Sequence, residues 1–226
     1  MSFLDENSID IAFIQESWLR KSDGHIINEI KEYNYKVISF RKPRKLDFGG
    51  GVAVIFKQYL KLKQIKTESF RSFENITCQV ITDKGPIIFS NLYRPGYSSK
   101  HRYTAKKFCV EFNQFIELLN SYSTVTYLVG DYNFHLETLY RTDDRQETSY
   151  EIQKKNEAKM FTSVLSEFNY SQLINEPTHE LGDTLDTLMC NDSSYVNGWS
   201  DLGKNDVCIS DHLPIFFELN TKPQVV

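Results

Sequence analysis

No apolar run in the 226-residue sequence approaches the ~18 residues a helix needs to cross a bilayer, so a helical membrane protein is not expected. Cysteine is sparse. Cys78, Cys109, Cys190 and Cys208 stand far apart with no C-x-x-C pair. That argues against a disulfide framework or a cysteine zinc site and reads as reduced, intracellular thiols. The first residues, Met1-Ser2-Phe3-Leu4-Asp5-Glu6, are acidic and show no signal-peptide pattern. Internal repeats and low-complexity linkers are also lacking. With 40% hydrophobic and 25% charged residues, the composition excludes disorder, collagen and coiled coil for the whole chain. The length suits one domain, residues 1–226, with a substantial core.

The chain also lacks a large net charge, at −4, which argues at first against a polyanionic partner. The distribution reverses that impression. Residues 36–107 hold 16 Lys/Arg against 4 Asp/Glu, an excess of +12, whereas residues 1–35 sum to −4 and residues 108–226 to −12. A basic middle between acidic flanks is a reason to consider polyanion contact, although lysines and arginines on exposed strands produce the same asymmetry.

Short runs rich in Val, Ile, Phe and Tyr, bounded by Gly, Pro, Asn or Asp, predict strands over Asp10–Ile14, Tyr35–Phe40, Val52–Phe56, Thr77–Ile81, Ile87–Leu92, Thr126–Val129, Thr187–Cys190 and Pro214–Leu219. Helical spacing of Phe108, Phe112, Phe115, Ile116 and Leu119 predicts a helix over 102–120. Phe161, Val164, Leu165 and Phe168 do so over 150–169, and Ile26, Ile27 and Ile30 over 23–33. Many strands with few helices do not follow a β-α-β-α rhythm. They fit an α+β sandwich of packed sheets with helices outside, whose inner faces 16 Phe and 13 Tyr can fill.

Several of these apolar runs end in polar groups. Asp10–Ile14 leads into Gln15-Glu16-Ser17-Trp18, and Ile87–Ser90 into Asn91-Leu92-Tyr93-Arg94-Pro95. Tyr127–Val129 leads into Gly130-Asp131-Tyr132-Asn133, Asp186 opens Thr187–Cys190, and Val207–Ile209 leads into Ser210-Asp211-His212. Carboxylates are costly to bury singly, so strands ending in them suggest a shared rim. A hard dication such as Mg2+ is a physical reason to gather them, because it binds one or two carboxylates, keeps water and polarises phosphoryl oxygen. Each residue alone has a plainer reading. Glu16 can be a solvated surface residue, Asp131 a turn residue, Asp186 a strand-edge charge, His212 a structural histidine and Tyr93 a core aromatic.

Taken in order, Q-E-S-W, G-G-G-V (Gly49–Val52), N-L-Y-R-P, G-D-Y-N, T-L-D and S-D-H-L-P resemble the endonuclease/exonuclease/phosphatase family over roughly residues 8–220. More narrowly they resemble the apurinic-endonuclease-like domain of non-LTR retrotransposons of the jockey and CR1 kind. The resemblance implies a four-layer α/β/β/α, DNase I-like sandwich of two mixed sheets. It implies Mg2+ (or Mn2+) as cofactor, double-stranded DNA as partner, a reverse transcriptase domain in the parent polyprotein, and action in the nucleus.

By the same resemblance Glu16 is a metal ligand and Tyr93 contacts the scissile phosphate. Asp131 orients or deprotonates the attacking water, or assists the leaving oxygen. Asn133 hydrogen-bonds a phosphate oxygen, Asp211 lies at the metal and water, and His212 stabilises phosphate charge while Asp186 orients it. Asn91, Arg94 and Ser210 are expected to support or touch the substrate. Arg44 and Lys45, with Lys57, Lys61, Lys63, Lys66, Lys100, Arg102, Lys106 and Lys107, are expected to grip DNA. Residues Tyr195–Asn205 are expected to form a surface loop near the site. One departure stands out. The family's first strand, with its metal-shell asparagine, has no counterpart, and Met1–Asn7 resembles the tail of the helix after it. A decayed or truncated relic of the domain, or a phosphatase of the same family, is therefore the alternative.

Overall fold

The computed structural model describes residues 2–20, 22–43, 49–96, 103–140, 146–201 and 210–225. In chain order the elements are α1 (Ser2–Glu6), β1 (Ile11–Gln15), α2 (Gly24–Glu32), β2 (Tyr35–Phe40), β3 (Val52–Lys57), β4 (Leu62–Ile65), β5 (Glu74–Thr82) and β6 (Gly85–Tyr93). There follow α3 (Ala105–Asn120), β7 (Val125–Asp131), a 3-10 turn Leu136–Leu139, α4 (Ser149–Glu167), β8 (Ser171–Gln172), β9 (Asp186–Cys190), β10 (Val196–Asp201) and β11 (Ile215–Leu219). The eight strands and three helices expected above are present with small shifts of boundary, and the apolar run Val207–Ile209 lies outside the described residues. No helix among the described residues is long and apolar enough to cross a membrane.

One layer is a six-stranded sheet in the order β4-β5-β6-β7-β9-β8. Only β6 and β7 pair in parallel within it, because α3 carries the chain back across the sheet between them. Helix α3 starts where the Thr104 side chain accepts a hydrogen bond from the Lys107 N–H. Its stripe of Phe108, Phe112, Phe115, Ile116 and Leu119 is fully buried. Helix α4 opens with a reciprocal Thr148–Glu151 capping box and sets Phe161 flat against Phe134, with ring centroids 4.6 Å apart. These helices form one apolar cluster on their face of the six-stranded sheet, and the opposite face meets the second layer in another.

The second layer is two sheets, β1-β3-β2 and β10-β11. Both pack on the same cluster, and the Phe13 and Phe217 rings stack 6.4 Å apart where β1 and β11 approach. Each of these strands has a ladder partner on one side only among the described residues. Their inward residues are accordingly half-exposed, whereas Val52 and Val54 on β3 are fully buried. Helix α1 bridges the two sheets: Phe3 packs edge-on to Phe216 of β11, and Asp5 pairs with Lys57 of β3 at 2.6 Å.

Residues 196–201 correct an expectation. They form a bulged strand paired with β11, so Gly198 and Trp199 belong to a sheet and not to a loop. Strand-forming alternation there is masked by Asn197, Gly198 and Ser200. The rest of the expected loop, 202–205, lies outside the described residues.

Candidate active site

Strand register gathers the polar residues. Glu74 on β5 lies opposite Tyr93 on β6, Tyr93 beside Asp131 on β7, and Asp131 opposite Asp186 on β9. Residues aligned across a ladder point to the same face. The four therefore form a row at one end of the sandwich, on the side facing the second layer.

Gly130 lets β6 and β7 close at this end. Its φ is +138°, and a Cβ placed on it would lie 1.9 Å from the Leu92 carbonyl oxygen, so no side chain fits. Asp131 is almost wholly buried and is clamped by Asn133, whose backbone N–H donates to Oδ1 at 2.9 Å and whose side-chain amide donates to Oδ2 at 2.8 Å. Asn133 sits at φ +51°, and the same amide also donates to the Arg94 carbonyl at 2.8 Å. Burial, and then the neighbouring Asp186 carboxylate, push the Asp131 carboxyl well above the usual carboxylate range.

Asp186 is fastened by Thr178, whose hydroxyl oxygen accepts the Leu185 and Asp186 N–H groups at 2.9 and 3.0 Å. It holds His212 Nδ1 at 2.7 Å. That hydrogen bond outweighs burial and raises His212 to about 9, which favours the imidazolium at neutral pH. Asp211 turns the other way: it is exposed and meets His179 Nε2 at 3.3 Å, while the His179 and His212 rings stand perpendicular 5.0 Å apart. Ser210 accepts the His212 N–H and donates to Asp211, fixing the turn that carries both.

Glu16 enters from the second layer at the end of β1. Its carboxylate accepts from the Tyr93 hydroxyl and, at 3.1 Å, from the Trp18 indole. The glycine turn at 49–51 holds this strand end: Gly50 and Gly51 carbonyls accept the Trp18 and Ser17 N–H groups. Gly51 has φ +92°, and a Cβ there would meet Ser17 Oγ at 2.8 Å. Glu74 anchors the turn by accepting from Gly51 N at 2.6 Å and from Lys42 N at 2.8 Å.

Asn91 and Arg94, expected to support or touch the substrate, are engaged inside the protein. Asn91 is fully buried and spends its amide on the Ile14 and Ala53 carbonyls, stapling the two layers together. Arg94 is also buried. It donates to the Tyr132 and Asn133 carbonyls at 3.0 Å and lies 4.0 Å over the Phe134 ring. Lys57 is likewise engaged, with Asp5 and the Tyr35 face. Lys61, Lys63, Lys66, Lys106 and Lys107 are exposed. Arg44, Lys45, Lys100 and Arg102 lie outside the described residues. Glu74 and His179 went unread in the sequence.

Beside the row, His179, Asp211 and His212 bring ligand atoms within 4.8 Å of one another and could hold a metal ion. Glu16 and Asp186 both bear on buried Asp131, so three carboxylates converge electrostatically, with His212 the cation set against Asp131. A gathering of acidic groups at an oxygen-lined rim is what a hard dication such as Mg2+ would offset, and both Glu16 and Asp211 are exposed there.

No family model and no curated protein matches the sequence. Solved structures do. An AP endonuclease from Archaeoglobus fulgidus aligns with TM-score 0.69 and 14% identity over 97% of this chain and 92% of its own. The endonuclease domain of TRAS1, a telomere-specific non-LTR retrotransposon, aligns with TM-score 0.64 and 14% identity over 96% and 88%. A mannosyl-6-phosphatase from Bacteroides thetaiotaomicron gives 0.62 and 15% over the same shares. At such identities the likeness speaks for architecture alone: the chain has the DNase I-like α+β sandwich of endonuclease/exonuclease/phosphatase proteins.

Proposed function

We propose that the chain is a metal-dependent phosphodiesterase that nicks duplex DNA, of the kind a non-LTR retrotransposon uses to open its nuclear target for primed reverse transcription. The observation that carries this reading is the aligned Tyr93–Asp131–Asp186 row with His212 docked on Asp186. The likeness to the TRAS1 domain favours DNA as substrate.

The side chains divide the work. His212, held protonated by Asp186, donates through Nε2–H to a non-bridging phosphate oxygen and offsets charge as the pentavalent state forms. Asp131, whose raised affinity for protons suits it to a base, takes the proton of the attacking water. Asn133 fixes its orientation. The water oxygen bonds to phosphorus in line, the bond to the 3′ oxygen breaks, and that oxygen takes a proton from solvent to leave as a hydroxyl. Tyr93 borders the phosphate and ties Glu16 in place. A bound dication, held by Glu16, would supply Lewis-acid polarisation of the phosphoryl oxygen.

The test is conversion of supercoiled plasmid to open circles with Mg2+ and with EDTA. Nicking that needs the metal and falls by about 10²–10⁴-fold in His212→Ala and Asp131→Ala is the expected result. Nicking that persists at the parent rate in both variants overturns it. Release of inorganic phosphate from monoesters, without nicking, would instead favour a phosphatase.

A further inference from the structure

We infer a second metal site, separate from the Glu16 rim, formed by His135, Glu137 and Asp183 and suited to a transition-metal dication such as Zn2+. His135 and Glu137 flank the start of the 3-10 turn after β7, and Asp183 lies in the connector before β9. Their ligand atoms all lie within 4.8 Å of one another. His135 Nδ1 stands 3.2 Å from Glu137 Oε1 and 3.4 Å from Asp183 Oδ1.

Two features distinguish this from an ordinary ion pair. First, His135 Nδ1 faces two carboxylates at once: its hydrogen bond to Glu137 is longer than the ~2.7–2.9 Å of a charge-assisted bond, and Asp183 lies farther still. The same molecule makes such a bond at 2.7 Å between His212 and Asp186. Nitrogen and oxygen ligands on a tetrahedral Zn2+, at ~2.0–2.2 Å from the ion, lie roughly 3.3–3.6 Å apart, close to the spacing seen. Second, the ligands are already oriented. Glu137 Oε2 accepts the Thr184 N–H at 2.9 Å, which leaves Oε1 turned toward the imidazole. All three side chains are partly buried, at 20%, 13% and 23% exposure. Among the described residues His135 is the one basic group in ion-pair range of Glu137 and Asp183.

A mixed imidazole–carboxylate set favours Zn2+ over Mg2+, with water completing the coordination. The ion would cross-link residues 131–139 to residues 176–186, the two segments that carry Asp131, Asn133 and Asp186. Its role is therefore positional.

The test uses the full chain with any affinity tag removed, equilibrium dialysis against Zn2+ in excess Mg2+ to occupy the Glu16 rim, and thermal unfolding. His179→Ala/His212→Ala removes the other histidine cluster and is expected to keep one Zn2+ equivalent. Adding His135→Ala is expected to abolish that equivalent. Glu137→Gln, which keeps the acceptor for Thr184, is expected to weaken it about tenfold or more. Excess Zn2+ should raise Tm by roughly 5 °C while His135 is present and not after its removal. Should the double variant fold poorly, the parent chain must lose one equivalent on His135→Ala. Zn2+ binding that is absent, or unchanged by His135→Ala, overturns the site. Neither readout depends on nuclease activity, so it can fail while the proposed function stands, and the reverse.

Discussion

Asp186 holds His212 Nδ1 at 2.7 Å from a strand position directly opposite Asp131. That carboxylate raises its partner histidine and adds to the upward push that burial exerts on its neighbouring carboxyl. The pH behaviour of the site follows from burial and from that shared aspartate.

His212 is raised from 6.5 to about 9. A histidine whose folded value exceeds its unfolded value adds stability that is complete below about 6.5 and lost as pH rises through about 9. The imidazolium needed for phosphate binding follows the same window. Nicking is expected to fall along an alkaline limb near pH 9. Asp186→Asn removes the principal raising influence while burial still lowers the group and Asp131 and Asp211 still raise it, so the limb moves down toward the ordinary histidine range. A pH–rate profile of both proteins measures this, and an unshifted limb would show that another group sets it.

The effect on Asp131 has the opposite consequence for stability. Its folded value lies above its unfolded one, so the native state binds this proton more tightly and is penalised where the group must ionise. Asp131→Asn is expected to abolish nicking yet stabilise the fold at pH 7.5 by roughly 1 kcal/mol. The gain is limited because the new amide must rearrange against the Asn133 amide. Urea unfolding at pH 7.5 and pH 4 gives the sign. The advantage should shrink as acid protonates the parent carboxyl, and a variant less stable at both pH values contradicts the assignment.

Much of this site was legible because strand ends are punctuated in sequence: apolar runs stop at Glu16, Tyr93, Asp131 and before His212. The aromatic stripe of α3 was legible because burial on one helix face imposes its period. Other features depend on register and on distant chain segments. Glu74 reads as an ordinary surface glutamate until β5 extends three residues earlier than its apolar run and faces the Gly51 N–H. His179 is 32 residues from Asp211, and only the bridge between residues 179 and 212 brings them together. Arginine is seldom fully buried, so Arg94, next to a basic segment, reads as a phosphate contact. Its aromatic shelf is built from Phe108 and Phe134, which local spacing does not connect to it.

Arg94 therefore separates structure from DNA binding. Arg94→Lys keeps the charge but loses the planar fork over Phe134 and one of the two carbonyl contacts. It is expected to destabilise the chain by roughly 2–3 kcal/mol. The slope of DNA affinity against salt should stay unchanged, because no phosphate contact is lost. Differential scanning fluorimetry and a salt titration of DNA binding check the two halves. A slope reduced by about one with stability intact would return Arg94 to the substrate surface.

Gly130 tests whether the alignment of the row is itself the requirement. Gly130→Ala places a Cβ 1.9 Å from the Leu92 carbonyl oxygen at a φ of +138°. Neither partner can give way without parting β6 from β7, because both atoms belong to ladder backbone. The expected cost is about 3 kcal/mol or more, with Tyr93 and Asp131 pulled out of register. Leu92→Ala at the facing position removes a buried side chain and leaves the carbonyl and the ladder where they are. It is expected to cost a similar ~2–5 kcal/mol. Matched destabilisation with different activity is the discriminating comparison. If nicking per folded molecule survives Gly130→Ala as well as it survives Leu92→Ala, the close approach of the two strands serves the core alone. If it collapses only in Gly130→Ala, the approach sets the spacing of Tyr93 and Asp131 across which the phosphate must sit.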